Sequence, residues 1–170
     1  MFVDETGAKT NMTRLYGRAE GGQRVVDAAP HGHWGTTTLL SSIRLDGSAA
    51  PMVIEGSTDA DVFREYVRQV LVPSLRPGDI VVLDNLSPHK NAEVEAAIRA
   101  VGADVWFLPP YSPDFNPVEQ LWSKVKAFLR ALKARTLDAP IEGIRDALRQ
   151  VTTTDALGWF DHCGYVATQT

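Results

Sequence analysis

The order of apolar and polar segments in this 170-residue chain predicts an α/β domain, a mixed five-stranded sheet flanked by helices. Three observations carry that expectation. Two short, nearly continuous apolar runs, "DIVVLDN" (residues 79–85) and "ADVWFLPP" (103–110), are each followed by a helical pattern, as expected of parallel strands buried on both faces and joined by right-handed crossovers. The first half instead holds two β-rich runs joined by Asp46-Gly47, a hairpin signal. Finally, 170 residues with 44% hydrophobic content suffice for one core and are too few for two comfortable ones.

Taken in order, Met1 to Val3 reads as a strand that ends at Asp4, and a polar, turn-rich stretch follows to about Pro30. "HWGTTTLLSSIRLDGS" (33–48) and "APMVIEG" (50–56) form the hairpin. Thr58 or Asp59 caps an amphipathic helix in which Val62, Phe63, Tyr66, Val67, Val70 and Leu71 recur at helical spacing until Pro73 and Pro77-Gly78. After the strand at 79–85, Ser87-Pro88 opens a helix that Gly102 stops. After the strand at 103–110, a long helix runs from Pro117 to about Ala134 and another from about Pro140 to Val151. On the long helix Val118, Leu121, Trp122, Val125, Phe128, Leu129 and Leu132 share one arc, and Glu119, Lys126, Arg130 and Lys133 lie on its flank.

Composition excludes several classes. No run approaches the eighteen or so apolar residues of a membrane span, and "MFVDETG" has neither the basic nor the apolar region of a secretory signal, so a cytoplasmic protein is expected. The lone Cys163 excludes an internal disulfide and a multi-cysteine zinc site. A net charge of −4 is unlike a dedicated nucleic-acid-binding module, although Lys124, Lys126, Arg130, Lys133 and Arg135 follow one another with no acid between them.

Three carboxylates stand where chemistry is expected. Asp84 closes a buried strand, Asp4 closes the first strand, and ligands of open α/β sheets bind outside the carboxyl ends of the strands. Glu119 sits at the start of the helix that follows the next strand, near the same rim. Oxygen donors without cysteine or a histidine pair favour Mg²⁺ or Mn²⁺ over zinc. Each acid also has a purely structural reading: Asp84 and Asp4 as turn caps, and Glu119 as the third helical residue of a capping box behind Asn116 and Pro117. Glu5 reads as a solvated acid or a supporting neighbour of Asp4. Neither His31, His33 nor His162 makes a metal-ligand pattern.

"FVDETG", "TRLYGRA", "VVLDNLSPHK", "LPPYSPDFNPVEQLWSKVK" and "WFDHCGY", in that order, closely resemble the catalytic domain of bacterial insertion-sequence transposases of the mariner superfamily, DDE-type endonucleases with an RNase H-like fold. The 34 residues between Asp84 and Glu119 (119 − 84 − 1) match that superfamily's spacing. The resemblance spans nearly the whole chain, so residues 1–170 are expected to form one catalytic domain, with its first strand truncated and the family's N-terminal helix-turn-helix region absent. It implies that Asp4, Asp84 and Glu119 are the catalytic, metal-binding triad, holding two Mg²⁺ or Mn²⁺ ions. It also implies DNA partners, both element ends and target, a homodimeric active assembly, and cleavage and strand transfer of DNA phosphodiesters. Asn85 and His89 would then stand behind the ligands, with His89 orienting a nucleophile, touching phosphate or serving structure alone, and Lys126, Arg130 and Lys133 would meet DNA phosphates. Two other readings stay open: a truncated, non-catalytic remnant that binds DNA weakly or dimerises, and a metal-dependent phosphatase using Asp84.

Overall fold

The computed structural model describes residues 1–9, 12, 16–26, 36–86, 89–132 and 139–165. Among them, β1 (Phe2–Lys9), β2 (Thr36–Ile43), β3 (Met52–Glu55), β4 (Ile80–Leu83) and β5 (Asp104–Phe107) form one sheet in the order β3-β2-β1-β4-β5. β2 runs antiparallel to both β3 and β1, and β4 and β5 continue the sheet parallel to β1. The β2–β3 connection turns at Asp46-Gly47, where Gly47 has φ 85° and the Asp46 carboxylate accepts from Ser48 N at 2.8 Å. A Cβ at position 47 would lie 3.2 Å from the Thr152 backbone, so glycine is required twice over.

Helices cover both faces. On one, α4 (Pro117–Leu132), α5 (Ala139–Arg149) and α6 (Thr153–His162) pack Val118, Leu121, Trp122, Val125, Ile144 and Phe160 against Phe2, Leu39 and Ile43. On the other lie α1 (Ala60–Tyr66), a π-helical turn (Val67–Leu71), the short α2 (Val72–Ser74) and α3 (Ala92–Ala100). These pack Phe63, Tyr66, Leu71, Val94 and Ile98 against Val3, Leu40, Val81, Leu83 and Val105. Neighbouring residues such as Phe2 and Val3, or Leu39 and Leu40, feed opposite cores, as the pleat requires.

Several expectations need correction. The first strand does not end at Asp4 but runs eight residues to Lys9, each one in register with β2 from Phe2↔Ile43 to Lys9↔Thr36. Its outer half, Glu5-Thr6-Gly7-Ala8, carries no large apolar side chain, so periodicity is silent there and the β2 ladder supplies the order. The helix after β4 begins at Ala92, capped by Asn91, whose side chain accepts from Glu93 N at 2.8 Å. Ser87 and Pro88, expected to open it, lie outside the described residues, and His89 precedes the helix rather than lying in its first turn. Leu132 is half exposed rather than part of the apolar arc. The α6 helix was not anticipated at all. Its capping box, Thr152 with Asp155, marks the start, but only Ala156 and Phe160 of its residues are buried, too thin a stripe to stand out. His31, His33, Lys133 and Arg135 lie outside the described residues, as does the region expected to end the long helix.

Candidate active site

β1 and β4 are bridged at Phe2↔Val82, reinforced by Val82 N donating to Met1 O at 2.8 Å. Two residues further along both strands, that register sets Asp4 beside Asp84. Here the sheet changes from antiparallel to parallel pairing and a crevice opens at the carboxyl end of β4. The resulting cleft of about 740 Å³ is lined by Asp4, Glu5, Asp84, Asn85, Asn116 and Glu119, among others, with Lys90 and the Leu108–Pro113 loop completing the wall. The structure thus brings the three sequence-singled acids to one cavity from β1, from just beyond β4 and from the first turn of α4.

Asp4 is 8% exposed. Its Oδ1 accepts from Glu5 N at 2.7 Å and its Oδ2 from Asn116 Nδ2 at 3.0 Å. Burial pushes its carboxyl up to about 7; the Glu5 N–H and His89 oppose the rise, and the charges of Glu119 and Asp84 add to it. Asp84 behaves differently. Burial would raise it, but the His89 hydrogen bond, the His89 charge and the Leu86 N–H, at 3.1 Å from Oδ1, together hold it below the usual range. His89 Nδ1 donates to that same Oδ1, which leaves Oδ2 with no partner among the described residues. The His89 ring is 1% exposed and lies 4.2 Å from the Phe63 ring at 35°, so packing fixes its plane.

Glu119 is exposed, and its carboxylate makes no hydrogen bond among the described residues. The capping box it was offered does not form: Asn116 N donates to Pro113 O at 2.9 Å, so the cap's N–H is already spent. Asn116 does act as cap, its Oδ1 accepting from Val118 N at 3.3 Å and its carbonyl from Glu119 N at 3.1 Å. The contact from Asn116 to Asp4 spans 112 residues and had no signal in the sequence beyond the cap itself. Glu5, on the opposite pleat from Asp4, also lines the cleft, with a buried Oε2 that lacks a partner among the described residues. Tyr111, fully exposed at φ 56°, stands on the rim.

The donor set is hard oxygen, held by one amide, one imidazole and backbone N–H groups, with no Lys or Arg ion pair to Asp4, Asp84 or Glu119 among the described residues. A carboxyl raised by its burial, with two neighbouring negative charges adding to the rise, is what a divalent cation would compensate, so the residues fit Mg²⁺ or Mn²⁺ in chemistry. Among the described residues no three His, Cys, Asp or Glu side chains stand close enough round one point to hold an ion, and Glu119 is the exposed member of the three acids. Along α4, Lys126 and Arg130 follow Glu119 on one stripe, roughly 10 and 16 Å down the axis. Lys124 does not belong to that stripe. It donates to Asp155 at 2.6 Å and to Gln150 O at 2.9 Å, tying α4 to α6.

A mixed five-stranded sheet of this order, helices on both faces and acids at the switch between its antiparallel and parallel halves, defines the RNase H-like class. Within it, the chain belongs to the DDE superfamily endonucleases, whose family model matches residues 1–139. Among curated proteins it is 22% identical over 120 residues to the Transposable element Tc1 transposase of Caenorhabditis elegans, covering 69% of this chain and 42% of that protein. It is 24% identical over 102 residues to the Tcb2 transposase of Caenorhabditis briggsae, covering 58% and 37%. The chain therefore spans less than half the length of these relatives. Among solved structures, the mariner Mos1 paired-end complex with Mg matches with a TM-score of 0.67 at 14% identity, over 96% of this chain and 53% of that one. The Mos1 strand transfer complex matches at 0.64 and 14%, over 96% and 50%. At such identity these two establish the fold alone.

Proposed function

We propose that residues 1–170 are one catalytic domain of a DNA transposase, which cleaves DNA phosphodiesters and joins the freed ends to a target with the aid of two Mg²⁺ or Mn²⁺ ions. The observation that carries the reading is the convergence of Asp4, Asp84 and Glu119 on one cleft at the sheet's switch point. Asp4 and Asp84 are the fixed donors, each carboxylate held by two hydrogen bonds; Glu119 is the adjustable one. When bound, the ions supply activation of water or a DNA 3′-hydroxyl and neutralise the charge that develops on the leaving oxygen. His89 keeps Asp84 ionised and oriented by occupying Oδ1, which leaves Oδ2 without a partner among the described residues. Lys126 and Arg130 carry the phosphates of bound DNA along α4, in line with Glu119. Lys133, which the sequence pattern groups with them, lies outside the described residues.

The finer assignment, to bacterial insertion-sequence transposases, rests on the five motifs and their spacing. Element ends and target DNA as partners and a homodimer as the active assembly are taken from the same resemblance. Among the described residues, no helix is long and apolar enough to cross a membrane. Nicking of supercoiled DNA tests the reading: Mn²⁺-dependent nicking by the wild type, lost in Glu119→Gln, is the expected result. Absence of cleavage under any divalent metal would leave a non-catalytic DNA-binding role instead.

A further inference from the structure

We infer that Asn116 is a positioning residue of the metal site, the bolt that holds Asp4's carboxylate and the Glu119-bearing end of α4 in one fixed relation. The inference rests on the metal-site reading above. Asn116 is 4% exposed and both ends of its amide are used. Oδ1 accepts from Val118 N at 3.3 Å at the head of α4, and Nδ2 donates to Asp4 Oδ2 at 3.0 Å on β1. The orientation of the amide is dictated by these partners, since the Val118 N–H needs an acceptor and the carboxylate needs a donor. No other side chain of this size supplies both. Aspartate would cap the helix but face Asp4 with a second negative charge, and serine would cap it without reaching the carboxylate.

The mechanical consequence follows from the fold. Asp4 is on a strand inside the sheet and Glu119 on a helix laid across it, joined through more than a hundred residues of intervening chain. Asn116 joins them directly, and its own carbonyl accepts from Glu119 N at 3.1 Å. With Glu5 N on Oδ1 and Asn116 Nδ2 on Oδ2, the plane of Asp4's carboxylate is set by two donors, and each oxygen, able to accept twice, keeps capacity for a further bond. Outer donors that orient a ligand in this way typically govern metal affinity about 10–100-fold.

Two variants separate the cap from the bolt. Asn116→Ser retains a good helix cap and removes the amide donor; Asn116→Ala removes both. In the full 170-residue chain, with Mn²⁺ alone as probe and melting temperature as readout, Asn116→Ser is expected to melt close to the wild type in chelator. The Mn²⁺ concentration giving half the stabilisation should rise at least about tenfold. Asn116→Ala is expected to show the same rise and, in addition, a metal-free melting temperature lower by about 2–4 °C. Equal Mn²⁺ half-points for Asn116→Ser and wild type would overturn this inference while leaving the metal site intact. A wild type with no Mn²⁺ shift at all would reject the metal-site reading itself, and the role of Asn116 with it.

Discussion

Asp79, at the amino end of β4, and Asp4, on β1 beside the carboxyl end of β4, are held in opposite ways. At the amino end, Asp79 meets Arg44 through a two-pronged ion pair, 2.7 Å to Nη1 and 2.5 Å to Nη2, and Arg44 Nη2 also donates to Ser74 O at 2.9 Å. The Arg44 hydrogen bonds outweigh burial there and hold Asp79 down at about 2. At the carboxyl end, Asp4 is more deeply buried and receives an amide and a backbone N–H but no cation, and its carboxyl rises to about 7. The first end has satisfied its charges within the chain, as a scaffold does. The second leaves negative charge uncompensated, and that stored electrostatic cost is available to a cation from outside.

The sharpest way to break this contrast is to remove the outward-looking charge. If the carboxyl end binds metal for chemistry, Asp84→Asn and Glu119→Gln should each lower Mn²⁺-dependent nicking by at least about 10³-fold, roughly 4 kcal/mol of barrier. Asp84→Asn should also abolish Mn²⁺-induced stabilisation, and an unchanged shift in that variant would remove Asp84 from the site.

The reverse experiment acts on the scaffold end. Arg44→Ala strands Asp79, a partly exposed acid, and is expected to cost about 2 kcal/mol, or roughly 4–8 °C in melting temperature. The Mn²⁺ half-point should not move, because no residue of this pair lines the cleft. A changed half-point would mean that the two ends are coupled.

The pH dependence should then separate the ends by sign. Asp79 is depressed, so its contribution is present above about pH 4 and lost as pH falls toward 2. Asp4 is raised, so the native state binds a proton that the unfolded state has released; metal-free stability therefore declines as pH climbs from about 4 to about 7 and is level beyond. In chelator at pH 8, Asp4→Asn should raise the melting temperature by a few degrees, about 1 kcal/mol after allowing for the misfit of its amide against Asn116, and should flatten the decline between pH 4 and 7. A decline that persists unchanged in Asp4→Asn would assign it to another group.

The smallest effect concerns the α4 stripe. Lys126→Ala and Arg130→Ala should leave stability within about 0.5 kcal/mol and each reduce the salt dependence of DNA binding by about one ion. Loss of binding to one DNA sequence only would contradict a phosphate-tracking role.

Some of this was legible before any coordinates. The two apolar runs at Ile80–Leu83 and Asp104–Phe107 announced themselves as buried strands because a strand covered on both faces has no polar alternation to obscure it. Asp46-Gly47 marked its turn because few residues tolerate a positive φ. Asp84 and Glu119 could be singled out because a strand end and a helix start are local features, and the motifs around them are dense. The outer half of β1 and the α6 helix were hidden, since Thr6, Gly7 and Ala8 or a stripe of two buried residues carry little local preference and are ordered by their neighbours.

What the sequence by itself determined was therefore the set of elements with strong periodicity and the identity of the acids at their ends. Tertiary structure alone decided the rest: that β1 continues through Asp4, that Asp4 is buried and raised while Asp84 is held ionised by His89, and that Asn116 spends its amide on a carboxylate 112 residues away. Helical and strand patterns are written in side chains a few positions apart, whereas desolvation and a hydrogen bond across the sheet exist only once distant segments have been packed together.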